Sequence, residues 1–302
     1  MYSSYLLTGA AGFLGKYIDD FLRGAGHRIT RIGRSASSDI VCDLALEIPV
    51  VSTSADVVVH AAGKAHMVPK TAAEKKAFFD VNLTGTKNLC TALEALPVKP
   101  KAFVFISTVA VYGVDAGENI DEQHPLGGTT PYAQSKIAAE VFLTEWCEKN
   151  GVLLSILRLP LVAGSNPPGN LGAMIKGIKS GKYYNIDGGL AKKSVVMAGD
   201  IAKWIPVVAE KGGIYNLTDG DHPSFAGLAS VIARQLGKPS PKNIPGWIAK
   251  GIALVGNMLG SKAPINSDKL QKITATLTFN DGQARKAFGW KPQRVLDVFT
   301  IS

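Results

Sequence analysis

The chain has 302 residues, 46% hydrophobic and 19% charged, with 33 lysines and arginines against 24 acids for a formal net charge of +9; that is enough for an ample core in one large or two modest globular domains. The basic residues are dispersed and not interleaved with aromatics, so the positive balance suits an anionic nucleotide ligand and not nucleic acid. Cys42, Cys90 and Cys147 are too few and too scattered for a disulfide framework, and neither they nor His60, His66, His124 and His222 show metal-ligand spacing, so no metal is expected and a reducing, cytoplasmic setting is.

The first element is a short apolar strand over 4–8, and no signal peptide is read before it. Thr8-Gly9-Ala10-Ala11-Gly12-Phe13-Leu14-Gly15 follows and opens a helix over 12–24. In such a strand–turn–helix, Gly9 allows the tight turn and Gly12 lets backbone approach a pyrophosphate. Gly15 lets the helix pack close to the strand, and the free N–H groups at the helix start attract phosphate. A second strand over 27–32 ends at Gly33-Arg34-Ser35. An acid that would hold an unmodified ribose hydroxyl is missing there, while a guanidinium and a hydroxyl suited to a 2′-phosphate are present. That favours NADP, with NAD as the alternative. A third strand over 38–42 leads to Asp43, which either accepts from the adenine amino group or caps the next turn.

The run Asp56-Val57-Val58-Val59-His60-Ala61 is continuous and β-branched, as in a strand buried on both faces. A helix over 71–96 and a strand over 102–107 come next. Thr108 stands at the end of that strand, where open α/β sheets bind ligands; it either orients a reacting oxygen or caps its own backbone. On the helix over 131–150, Tyr132 and Lys136 are four apart and share a face. A cation beside the phenol is expected to lower its pKa and fit it for proton transfer near neutral pH.

Beyond a strand over 153–158, elements are expected over 168–180, 199–210, 213–217, 224–236 and 244–259, all helical except 213–217. Strand–helix alternation predicts an α/β fold with a doubly wound parallel sheet. The expected division is a dinucleotide-binding domain over 1–160 and a substrate-binding lobe over 161–302, with 199–218 returning to the main sheet. The apolar stretch 244–259 is too short and too interrupted to span a membrane, so no integral membrane segment is expected. It either covers the lobe or lies on a membrane surface.

Taken together, Thr8–Gly15, Val59-His-Ala-Ala-Gly63, Val81-Asn-Leu-Thr-Gly-Thr86, Ser107-Thr-Val-Ala-Val-Tyr-Gly113, Tyr132-Ala-Gln-Ser-Lys136 and Leu157-Arg-Leu-Pro160 resemble a known family over nearly the whole chain. It is the extended short-chain dehydrogenase/reductases, in particular the nucleotide-sugar epimerase/dehydratase group. The resemblance implies a Rossmann-type domain holding a nicotinamide cofactor and a lobe for a nucleoside-diphosphate sugar. It puts Phe13 and Leu14 under the pyrophosphate, Asp43 and Leu44 at the adenine, and Ala61, Ala62 and Gly63 along the cofactor. Asn82 would lie near it and Pro160 close to the nicotinamide. Thr108, Tyr132 and Lys136 take the catalytic positions, with Lys136 also bonding the nicotinamide ribose. Asn170 and Leu171 resemble the grip on the substrate diphosphate, and Lys193 falls where many relatives carry an arginine. Relatives also dimerise through the Tyr–Lys helix, here by Ile137, Val141 and Phe142 if these do not serve the core.

The chain departs from the group's pattern in instructive places. Val109-Ala110 follows Thr108 where dehydratases carry Asp-Glu, and Arg158-Leu-Pro-Leu161 replaces the Arg-Tyr-Phe-Asn of UDP-galactose epimerases. The expectation is an NADPH-dependent reductase of a UDP-linked 4-keto-6-deoxy sugar in surface polysaccharide synthesis. The alternative is a 4-epimerase with tightly bound NAD, and a remote one is a non-catalytic cofactor-binding protein.

Overall fold

The structure, a computed structural model, describes residues 2–65, 67–259 and 266–301; His66 lies outside them. Seven parallel strands form the central sheet, in the order 213–216, 153–159, 102–108, 57–60, 4–8, 28–33, 40–41. The chain starts in the middle, at Ser4–Thr8. It builds outward to 28–33 and 40–41, then crosses back to 57–60 on the other side. That reversal opens a crevice at the strand ends between Thr8 and His60, which are register partners.

The alternation of side chains along these strands makes two apolar layers. Tyr5, Leu7, Val57 and Val59 pack with Ile18 and Leu22 of the helix Phe13–Gly24 and with Ile201 and Ile205 of the helix Ala198–Ala209. On the other face, Leu6, Val58, Phe103 and Phe105 meet Leu89 and Leu93 of Gly85–Glu94 and Leu143 of Pro131–Asn150. A separate cluster, including Leu171, Met174, Ile178, Leu228, Ile232 and Val295, holds the C-terminal part together. The strand Gly213–Asn216 pairs with Leu153–Leu159 in the main sheet.

Three expected elements differ. The third strand shrinks to Ile40–Val41, because the Asp39 carboxylate accepts the Arg31 N–H at 2.8 Å and takes a ladder position. The helix over 71–96 is broken into Ala72–Phe79, a wide π turn Asp80–Thr84, and Gly85–Glu94. Such bulges gather at functional sites, and this one carries Asn82. The last apolar helix starts at Gly246, since Ile244 pairs instead with Ile186. Short parallel strand pairs (117–120 with 277–279, 161–163 with 195–197, 185–186 with 243–244) were not anticipated from the sequence. Nor were the helices Ser267–Thr274, Gly282–Phe288 and Val295–Val298. Among the described residues no helix is long and apolar enough to cross a membrane.

Candidate active site

The glycine turn is dictated by space. Gly9 has φ +75°, and a Cβ there would lie 2.6 Å from the Ala62 nitrogen. A Cβ on Gly15 would strike the Gly9 carbonyl oxygen. Gly12 donates its N–H to Gly9 at 2.9 Å and starts the helix Phe13–Gly24, whose first turn has no acid and no side-chain cap. The free N–H groups of that turn, with no side chain in front of Gly12, fit a pyrophosphate. The Phe13 ring turns aside onto Tyr17, at 5.7 Å between centroids, while Leu14 packs on the core.

Across the crevice a buried chain of hydrogen bonds fixes the floor. Thr8 Oγ1 accepts the Ala62 N–H at 3.1 Å and lies 2.6 Å from His60 Nδ1. His60 Nε2 lies 3.0 Å from Thr86 Oγ1, which donates to the Asn82 carbonyl at 2.7 Å. Burial, with Lys136 adding to it, pushes the His60 pKa down to about 3. The imidazole is therefore neutral, and one tautomer satisfies the chain: Thr8 donates to Nδ1, and Nε2–H donates to Thr86. Asn82 is a buried clamp. Its Oδ1 accepts the Lys64 N–H at 2.7 Å, and its amide donates to the Lys64 carbonyl at 3.1 Å and to Ser135 Oγ at 2.9 Å. It thus ties the loop after Ala61-Ala62-Gly63 to the helix carrying Tyr132.

At the outer strand end, Arg34 is 78% exposed, and its guanidinium lies 3.9 Å from the Asp43 carboxylate. Ser35 turns its hydroxyl to Ser37 at 2.9 Å. Asp43 accepts the Ala45 N–H at 3.1 Å, so it does cap the next turn. Leu44 is buried, and its carbonyl accepts from the Asn88 amide at 2.8 Å.

Thr108, Tyr132 and Lys136 converge at the end of the strand Ala102–Thr108. Thr108 Oγ1 accepts the Ala110 N–H at 3.2 Å, the strand-end cap, and is also hydrogen-bonded to the Tyr132 hydroxyl. Lys136 is buried. It donates to the Ile106 carbonyl at 2.6 Å and sits 3.8 Å over the Phe105 ring. Burial pushes its pKa from 10.5 down to about 7, against the pull of Glu140. The expectation of a phenol shifted downward is corrected here. Burial raises the Tyr132 pKa, the Thr108 bond opposes this only in part, and the ammonium is aimed at Ile106 and Phe105.

Sequence reasoning missed the support behind this trio. Glu140, one turn beyond Lys136, pairs with Arg158 at 2.7 Å, both nearly fully buried. Ser107, next to Thr108, donates to the same carboxylate. Arg158 reaches the Tyr112 hydroxyl at 3.2 Å, and Tyr112 donates to Asn216 Oδ1 at 2.8 Å. Four strands and helices are thereby locked behind the site. Polar residues inside otherwise apolar strands, His60 and Arg158, were the only available signal.

The lobe residues stand apart, with no contact to the trio among the described residues. Asn170 is exposed in the first turn of the helix Gly169–Lys179, while the Leu171 side chain is buried in the lobe core and offers only its backbone. Lys193 is half-buried, its ammonium 6.0 Å from the Phe225 ring centroid, and burial lowers its pKa. Pro160 is half-buried between the strands Leu153–Leu159 and Leu161–Ala163. On the Tyr–Lys helix, Val141 is exposed, whereas Ile137 and Phe142 pack against core clusters.

Comparison with known proteins gives a consistent result. The chain is 31% identical over 216 residues to N-acetyl-alpha-D-glucosaminyl-diphospho-ditrans,octacis-undecaprenol 4-epimerase of Escherichia coli O157:H7, covering 67% of this chain and 64% of that protein. It is 27% identical to UDP-glucose 4-epimerase of Vibrio cholerae, over 98% of this chain and 93% of the relative. Among solved structures, UDP-glucose 4-epimerase from Bifidobacterium longum, in complex with NAD+ and UDP, matches with TM-score 0.75 at 21% identity, over 98% and 96% of the two chains. RMD from Pseudomonas aeruginosa, complexed with NADPH, matches with TM-score 0.69 at 21% identity, over 98% and 94%; at these identities the likeness is one of fold. Residues 5–218 match the model of the NAD dependent epimerase/dehydratase family, and the chain belongs to that family, an enzyme group built on the Rossmann-type sheet.

Proposed function

We propose that this enzyme reduces the 4-keto group of a nucleoside-diphosphate sugar, most simply a UDP-linked 4-keto-6-deoxy sugar for surface polysaccharide, with NADPH as the consumed cofactor. The observation that carries this reading is the end of the second strand: Gly33, then an exposed Arg34, with no acid at that position. A guanidinium free to swing suits a 2′-phosphate, and the Ser35 hydroxyl lies beside it.

The glycine turn and the helix starting at Phe13 would hold the pyrophosphate, and Ala61, Ala62 and Gly63 would line the crevice floor. Asp43 and Leu44 would face the adenine, Pro160 the nicotinamide. When bound, the reduced nicotinamide supplies a hydride to the sugar C4. Thr108 would orient the carbonyl oxygen, and Tyr132 would deliver the proton that this oxygen takes up. The raised pKa of Tyr132 suits that direction, because a phenol kept protonated at neutral pH is ready to donate. Lys136, near its own midpoint at neutral pH, would resupply the proton and bond the nicotinamide ribose. Asn170, the Leu171 backbone and Lys193 would hold the diphosphate, and the protein would work in the cytoplasm as a homodimer.

A 4-epimerase with tightly bound NAD is the second reading, favoured by what the curated relatives are named for. The two part in one assay: the protein mixed with NADPH and a UDP-4-keto-6-deoxy-N-acetylhexosamine. Loss of the reduced-nicotinamide absorbance supports the reductase. No loss, together with interconversion of UDP-N-acetylglucosamine and UDP-N-acetylgalactosamine without added cofactor, supports the epimerase.

A further inference from the structure

We infer that the helix Gly246–Leu259, with the strand pair at its start, docks this protein on an anionic lipid surface. The inner stripe of that helix is small and buried, Ala249, Ala253 and Gly256, and it rests with Leu270, Ile186 and Ile244. The outer side is large and open: Trp247 is 76% exposed, Leu254 63% and Val255 60%. At 100° per residue these three lie within one face, opposite Ala249 and Ala253. Ordinary solvated helices carry charge on that face. Here it carries a tryptophan and branched aliphatics, the composition of a helix lying in a membrane interface.

The ground beside the ridge is positive. From 238 to 259 the chain has Lys238, Lys242 and Lys250 and no acid. The parallel pairing of Asn185–Ile186 with Asn243–Ile244 brings in a second exposed stretch, with Lys182 and Leu190. Asp187, the acid of that stretch, accepts the Gly246 N–H at 2.6 Å and so fastens the two segments together. None of these four lysines is in an ion pair among the described residues. An apolar ridge flanked by unneutralised lysines complements anionic headgroups around an apolar interior. It does not complement itself, since a two-fold contact through this patch sets lysine against lysine. The helix has 14 residues, about 21 Å at the usual rise, too short to cross the hydrocarbon core. It therefore lies on the surface.

The inference does not rest on the proposed reduction, since the patch shares no residue with the site. The test is co-sedimentation of the full chain with vesicles of phosphatidylcholine alone and of phosphatidylcholine mixed with phosphatidylglycerol. Binding to the mixed vesicles only, weakened by added salt, is expected. Trp247→Ser with Leu254→Ser should bring it down to the level seen with neutral vesicles, and Lys242→Gln with Lys250→Gln should weaken it, each with thermal unfolding unchanged. Absence of binding to the mixed vesicles, equal binding by wild type and both variants, or a concentration-dependent dimer abolished by the Trp247 variant would each overturn the proposal.

Discussion

The crevice and the lobe are built on different physics. Around the crevice, Thr8, His60, Asn82, Thr86 and Ser135 are buried and hydrogen-bonded to one another or to neighbouring backbone. Each fixes the next, so the floor has one arrangement. In the lobe, Asn170 is exposed at a helix start and Lys193 half-exposed beside Phe225, and no buried polar chain joins them. Chemistry shared across a family needs the first kind of construction. Choice among sugars needs only the second, which tolerates change.

The largest break in that comparison should come from Tyr132→Phe. Loss of the proton donor should lower kcat by about 10²- to 10⁴-fold, while titration with the dinucleotide gives unchanged affinity, because the glycine turn is untouched. Surviving turnover would show that another group handles the proton.

Arg158→Met tests whether the crevice is as rigid as its bonding suggests. It strands the buried Glu140 carboxylate, so denaturant unfolding should show a loss of about 3–5 kcal/mol. Its effect on kcat should exceed that on KM, since the trio's support is disturbed and not the lobe.

Lys136→Met is a subtler probe of the same region. The unfolded chain holds the lysine proton up to about pH 10.5, while the folded chain releases it above about 7. Wild type therefore gains stability as pH rises through that window and sits on its low plateau below it. The variant lacks this dependence. Its stability relative to wild type should be greatest near pH 6 and shrink toward pH 10, by on the order of a few kcal/mol, with turnover lost throughout. A constant difference across that range would mean that Lys136 is not desolvated.

The smallest effect is expected in the lobe. Lys193→Ala should raise KM for the nucleotide sugar by roughly tenfold, as loss of one phosphate contact does, with kcat and stability little changed. A collapse of kcat would place Lys193 with the trio.

What the sequence revealed follows from what is local. The turn at Gly9–Gly15 is set by covalent geometry within eight residues, and the Tyr132–Lys136 spacing by helix pitch, so both could be read directly. The pKa of Tyr132 could not, because spacing does not say how deeply a phenol is buried or that Lys136 turns to Ile106. The Ser107–Glu140–Arg158–Tyr112–Asn216 network joins residues over a hundred positions apart, and no window of sequence contains it. Arg158 was seen only as part of a motif, not as a partner of Glu140. The short pairs such as Asn185–Ile186 with Asn243–Ile244 are two residues long, below any periodicity.

The most direct test of the central claim follows the hydride itself. With NADPH deuterated at its transferable position and a UDP-4-keto-6-deoxy-N-acetylhexosamine, mass and NMR spectra of the product should show deuterium at the sugar C4, one label for each NADPH oxidised. Unlabelled product formed without NADPH oxidation would contradict the reductase.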